Sequence, residues 1–264
     1  MRYFLQLAYN GEKYHGWQSQ PNAPSVQETL ENALQTILRH PVSVVGAGRT
    51  DAGVHAAEMY AHFDSEKILN GNKSFLSSLN HLLGADIAVY NVILVEDERH
   101  ARFDAVKRTY KYFISYRKNP FLYPFSLFSH RKLDLEKMNE GASLLLGISD
   151  FTSFAKLHSD AKTNICKVFS AEWNKVDEPI SILSTTLPFN GIVFTISADR
   201  FLRNMVRAIV GTLIDLGTGK ISIEKFKNII DTKDRCAAGF SVPASGLFLW
   251  KIEYPFINQA SLIV

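Results

Sequence analysis

Eleven residues from Gly46 to Ala56, G-A-G-R-T-D-A-G-V-H-A, constrain this chain more than any other stretch. Three glycines and three alanines surround three side chains that can do chemistry: Arg49, Asp51 and His55. Glycine reaches backbone conformations closed to other residues and lets a second segment come close. Small neighbours also leave space beside the carboxylate. Val42, Val44 and Val45 before the loop predict one strand, and the alternation from Met59 to Phe63 predicts another. Asp51 is therefore expected on a turn held at both ends by a sheet, the kind of scaffold that places reactive side chains. An Arg–Asp ion pair in a tight turn is the plainer reading of the same residues.

The rest of the sequence bounds what such a loop can serve. A chain of 264 residues, 46% hydrophobic and 21% charged, can bury a sizeable core and is long enough for two domains. No apolar run approaches the roughly 18 residues of a membrane span. The start, Met1-Arg2-Tyr3-Phe4-Leu5-Gln6-Leu7, alternates like a strand and lacks a signal-peptide layout. Cys166 and Cys236 have no metal-ligand spacing, so a reducing, cytoplasmic location is expected. A net charge of +3 is compatible with an RNA partner without requiring one.

Strands are expected over Phe4–Tyr9 and Ile87–Val95, with a polar, aromatic loop from Gly11 to Gln20. Ser25 and Glu28 form a capping-box pattern ahead of a helix whose apolar stripe is Val26, Leu30, Ala33, Leu34, Ile37 and Leu38. Pro41 ends that element, and Phe75–Leu83 is a short helix. In the second half, strands are expected over Thr109–Tyr116, Ile165–Val176, Ile180–Leu187, Gly191–Ser197 and Gly246–Tyr254. Helices are expected over Leu135–Leu146 (capped by Asp134), Phe201–Leu216 and Ile223–Ile230 (capped by Ser222). The order is that of an α+β protein with a rough strand–helix duplication between halves.

Two basic groups stand out. Arg200, Arg203 and Arg207 are spaced to form one stripe on the expected Phe201 helix. Arg99, Arg102, Lys107, Arg108 and Lys111 interleave with Phe103, Tyr110 and Tyr112, a mixture suited to phosphates and unpaired bases, or simply to a solvated strand. His55 and His62, with Asp51 and Asp64, lack a third ligand at a set spacing, so no metal is expected and His55 is read as a support for the loop.

The Gly46–Ala56 run resembles the signature of the TruA family, the tRNA pseudouridine synthase A enzymes. So do Y-H-G-W-Q-S-Q (Tyr14–Gln20), S-V-Q-E (Ser25–Glu28), H-A-R-F-D-A (His100–Ala105), R-T-Y-K-Y (Arg108–Tyr112), D-F-T-S-F (Asp150–Phe154), F-L-R-N-M-V-R (Phe201–Arg207) and S-G-L-F-L (Ser245–Leu249), all in the family's order. The likeness covers nearly the whole chain. It implies two ferredoxin-like, RRM-like α+β lobes with joined, mostly antiparallel sheets, helices on one side and an active-site cleft between the lobes. Residues 1–106 would form the lobe carrying the aspartate loop, and 107–264 the lobe completing the cleft.

The resemblance further implies a homodimer that converts uridine to pseudouridine in the anticodon stem-loop of tRNA (positions 38, 39 and/or 40) without metal or organic cofactor. Asp51 would be the catalytic carboxylate, attacking C1′ or C6 or taking a proton from C2′. Arg207 would pair with it and keep it ionised. Tyr110 would stack on the uracil and help remove the C5 proton, and Leu247 would pack on the other face. Arg49 would fill the gap left by the extruded base, an exchange that offsets the cost of unstacking, and Arg102 would contact the RNA. Two other classes fit the composition: a catalytically silent RNA-binding protein on the same scaffold, and a glycosidase acting on free nucleosides. The latter commonly needs a second carboxylate.

Overall fold

The computed structural model describes residues 1–157, 162–176, 180–182, 185–187 and 189–257. It divides into two compact units, Met1–Arg108 with the C-terminal segment from Phe248, and Thr109–Leu247.

The first unit opens with β1 (Arg2–Tyr9), α1 (Val26–Leu38), the short β2 (Val45–Gly46), β3 (His55–Asp64), α2 (Lys73–Leu82) and β4 (Ile87–Val95). β5 (Lys107–Ser115) then carries the chain into the second unit. That unit holds β6 (Leu127–Phe128), α3 (Leu135–Leu144), β7 (Val168–Val176), β8 (Ile180–Ile182), β9 (Thr185–Leu187), β10 (Gly191–Ala198), α4 (Met205–Gly217) and α5 (Ile223–Thr232). β11 (Leu247–Glu253) ends the order.

In the first unit β1 is the central antiparallel strand. It pairs with β4 on one side, Arg2 opposite Val95, and with β3 on the other, Leu5 opposite Ala61. β11 adds to β3 in parallel, Phe248 opposite His55. Phe4, Leu5, Leu7, Met59, Tyr60 and Phe63 are buried along these strands, and α1 turns Val26, Leu30, Ala33, Leu34 and Leu38 inward, whereas Ile37, expected on the same stripe, is only half-buried. Ser25 Oγ accepts from Glu28 N at 3.2 Å, half of the expected capping box, and Arg39 closes the helix in the left-handed region. In place of the strand expected from Val42, only Val45 and Gly46 pair with β3, opposite His62 and Ala61. β3 itself starts at His55 rather than Met59, which puts His55 on the strand.

In the second unit β10 lies between β5 and β7 and pairs antiparallel with β7, Phe194 opposite Trp173. The long strand expected from Ile165 begins at Val168, with Ile165 only bridging to Asp150. α4 forms the core, with Met205, Val206, Ala208, Ile209, Leu213 and Leu216 buried. Asp134 and Ser222 cap α3 and α5 as their sequences suggest. The expected Phe201 helix starts four residues late, because Asn204 sits at φ 66°, a left-handed conformation that Asn tolerates better than most residues. Arg200 and Arg203 therefore precede the helix, and the three-arginine stripe does not exist as one helical face. Among the described residues no helix is long and apolar enough to cross a membrane.

Candidate active site

Asp51 is half-buried in the first unit, between the buried Thr50 and the exposed Ala52. Its carbonyl accepts from Val54 N at 3.1 Å, closing a turn in which Gly53 takes φ 77°. The polar Gly11–Gln20 loop holds this turn from several directions. Gly53 N donates to Tyr14 O at 3.1 Å, and Trp17 N to Thr50 O at 3.4 Å. Gly16, at φ 94°, passes so close that a Cβ there would overlap the Thr50 carbonyl oxygen. Arg49 is exposed, and its Nε donates to Gln18 Oε1 at 3.0 Å. Thus the early aromatic loop braces the acidic one.

His55 also acts as a brace, though on β3: its Nδ1 accepts from Gly11 N at 3.1 Å and its ring stacks on Phe248 at 4.7 Å. His62 Nδ1 accepts from Ala101 N at 3.1 Å. Seven residues along a strand separate the two rings by about 20 Å, so they cannot share an ion. No group of three or more His, Cys, Asp or Glu arranged for a metal occurs among the described residues. Burial, reinforced by the nearby Arg2 and His100, holds His62 down at about 4.

The basic cluster resolves into members with different duties. Arg99 pairs with Glu96 at 2.5 Å and covers the Phe256 ring at 4.6 Å, while Lys107 pairs with Glu253 at 3.4 Å. Arg108 turns its guanidinium onto backbone carbonyls of its own unit: Ala47 at 2.9 Å, Arg102 at 2.7 Å and Ala105 at 3.2 Å. Arg102 is exposed, its guanidinium 5.8 Å from the ring of Phe103, which is 74% exposed. These two present a charge and an aromatic face to solvent, the pairing that suits RNA.

In the second unit Arg207 lies in the first turn of α4, half-buried. Its Nε donates to Val242 O at 2.7 Å, and Val242 N donates back to Arg207 O at 3.2 Å, which fixes the plane of the guanidinium. Asn204 Nδ2 and Arg235 Nη2 both reach Ser241 Oγ, at 2.6 and 2.9 Å, and secure the same segment. Tyr110 is half-buried on β5, its ring meeting Phe201 edge-on at 5.0 Å and 80°. Tyr112 OH donates to Pro243 O at 3.0 Å, anchoring the chain just before Leu247, which is buried. Burial pushes the Tyr112 hydroxyl up, with Arg207 opposing.

So Asp51, Arg49 and Arg102 belong to the first unit and Tyr110, Arg207 and Leu247 to the second. Within the first, Arg108 joins the segment leading to Asp51 to the turn carrying Arg102. Sequence reading assigned Arg108 no role of its own, since its partners are main-chain carbonyls; its place before an alternating strand was the available signal.

A family model described as tRNA pseudouridine synthase matches residues 142–255, a stretch that includes Arg207 and Leu247. Curated relatives extend the likeness to the Asp51 loop. The tRNA pseudouridine synthase A of Bacteroides thetaiotaomicron is 54% identical over 254 residues, covering 96% of this chain and 91% of the relative. That of Porphyromonas gingivalis is 52% identical, covering 96% and 97%. The protein of the same name from Bacillus subtilis is 37% identical, covering 96% and 99%.

Proposed function

Because the chain belongs to the tRNA pseudouridine synthase A family, whose members are named for the isomerisation of uridine to pseudouridine in tRNA, we propose that it does so in the anticodon stem-loop, at positions 38, 39 or 40, with Asp51 as the catalytic carboxylate. The observation that carries the reading is the Asp51 turn: a half-buried carboxylate set among small residues and braced from Tyr14, Trp17 and Gln18. Binding alone has no need of a carboxylate on so firmly held a turn beside an exposed arginine.

In this reading the first unit supplies the carboxylate and the second supplies Arg207, Tyr110 and Leu247. Asp51 acts at the sugar or the base, and the N1–C1′ bond breaks. The uracil turns while it stays bound, and C5 bonds to C1′. The proton on C5 is then lost and N1 regains one, so that nothing is gained or lost overall. Arg207 holds the carboxylate ionised. Tyr110 stacks on the uracil and assists loss of the C5 proton, and Leu247 covers its other face. Arg49 takes the place of the extruded base, and Arg102 contacts the RNA backbone. The reaction uses no metal and no organic cofactor; the enzyme acts in the cytoplasm as a homodimer whose subunits both contact one tRNA.

The test is Asp51→Asn. Pseudouridine in purified tRNA should fall to background while tRNA still binds with affinity near that of the unaltered protein. Normal conversion by the Asn variant would remove Asp51 from the chemistry. Unaltered protein that binds tRNA yet forms no pseudouridine would favour a silent RNA-binding role.

A further inference from the structure

Arg108 is the last residue of the first unit's N-terminal segment and the second basic residue after the His100–Ala105 turn. As a member of a basic cluster it reads as a phosphate contact. Its geometry says otherwise, because the guanidinium is half-buried and directed at the protein's own main chain. One nitrogen, Nη2, donates both to Ala47 O and to Arg102 O, at 2.9 and 2.7 Å, and Nη1 donates to Ala105 O at 3.2 Å. Ala47 stands four residues before Asp51. Arg102 and Ala105 belong to a turn more than fifty residues further on.

Both segments are otherwise well fixed. Ala47 is fully buried, and its N donates to Tyr60 O at 2.8 Å. Ala101 is fully buried too, its N donating to His62 and its carbonyl accepting from the Tyr254 hydroxyl. The turn closes on itself through Asp104 N to His100 O and His100 N to Asp104 Oδ2, both at 3.0 Å. The planar fork of Arg108 links the acidic loop to this turn.

We propose that Arg108 is a positioning residue for Asp51: it clips the Ala47 carbonyl to the Arg102–Ala105 turn and so holds the acidic loop and the RNA-facing Arg102–Phe103 pair as one frame. The role requires a guanidinium. Lysine keeps the charge but offers a single ammonium on a flexible stem, which cannot reproduce two nitrogens set in one plane. Without the fork the Ala47 carbonyl loses a charged donor, and the loop gains freedom where a shift of about 1 Å can cost on the order of 100-fold in rate.

The inference rests on the proposed uridine isomerisation for its kinetic arm only. Arg108→Lys is compared with the unaltered protein by amide hydrogen exchange and by steady-state turnover of tRNA. Amides of Gly46–Ala56 and of His100–Ala105 should exchange together, about tenfold faster, with the β1–β4 ladder unchanged. kcat should fall by about 10- to 100-fold while KM for tRNA stays within about threefold. Unchanged exchange in Gly46–Ala56, or a raised KM at unchanged kcat, would overturn the proposal, the latter marking Arg108 as an RNA contact. If the Lys variant does not fold, Arg108→Gln, a planar donor without charge, carries both measurements. Should the unaltered protein form no pseudouridine, the proposed function fails, and the exchange arm still decides whether Arg108 is the clip.

Discussion

The hydroxyl groups of Tyr9 and Thr50 lie 2.9 Å apart, both residues buried, one position before the half-buried Asp51. A strand of the central sheet therefore reaches directly into the acidic loop. Tyr9→Phe keeps the ring against Trp17, whose centroid is 6.2 Å away, and removes this partner of the Thr50 hydroxyl. Loss of one partner of a buried hydrogen bond costs about 1–2 kcal/mol. The expected result is a lower urea midpoint at unchanged slope, with turnover reduced further than the unfolded fraction explains. An unchanged midpoint would show that the pair contributes nothing to the loop.

Arg207→Lys should act on chemistry more than on folding. The guanidinium Nε is committed to Val242 O at 2.7 Å, and an ammonium cannot both keep that bond and present a planar face elsewhere. Tritium released from C5-labelled tRNA should fall by about 100-fold, the scale seen when a group that stabilises charge at a reacting centre is displaced. Thermal stability should drop by about 1–3 kcal/mol for the lost charged hydrogen bond. Undiminished release would take Arg207 out of the site.

These residues also mark the limit of what the sequence discloses. Ser25, Asp134 and Ser222 cap helices through bonds to amides three residues away, so their roles are legible in a short window. β4, rich in β-branched residues on both sides of Asn91, falls on the expected residues Ile87–Val95. The late start of α4 was hidden because Phe201 and Leu202 continue the apolar rhythm although the chain turns left-handed at Asn204. Asp51 stood out through its small neighbours. Apart from His55, its supports did not, since Gln18 and Tyr9 lie more than thirty residues away and Arg108 more than fifty. Side chains that bond to residues far along the chain leave no local pattern, which is why the candidate carboxylate was easier to find than the frame around it.

Arg102→Ala should weaken tRNA binding in a way that salt reveals. Arg102 is exposed beside Phe103, and a side chain that neutralises one phosphate releases about 0.7–0.9 of a counterion. A plot of log affinity against log salt should lose close to one unit of slope in the variant. An unchanged slope would mean that Arg102 meets no phosphate.

Acid should loosen the first unit through His62. Its Nδ1 accepts from Ala101 N, which requires the neutral ring, and burial with Arg2 and His100 close by holds it down at about 4 against an ordinary value near 6.5. His100 is lowered as well, by burial and by Arg2, while Asp64 and Asp104 oppose the shift at His62. Between those two values the unfolded chain binds more protons at His62 than the folded one, so stability rises with pH there. It is present in full above about 6.5 and is lost as pH falls toward 4, by on the order of 2–3 kcal/mol. The Asp64 carboxylate, held below its ordinary range chiefly by its hydrogen bond from Arg2, is lost only at lower pH and does not blur this window. Urea unfolding at several pH values should show the slope in the unaltered protein and a flatter one in His62→Gln, whose side chain does not titrate. Equal slopes would place the acid sensitivity elsewhere, with His100 the next residue to replace.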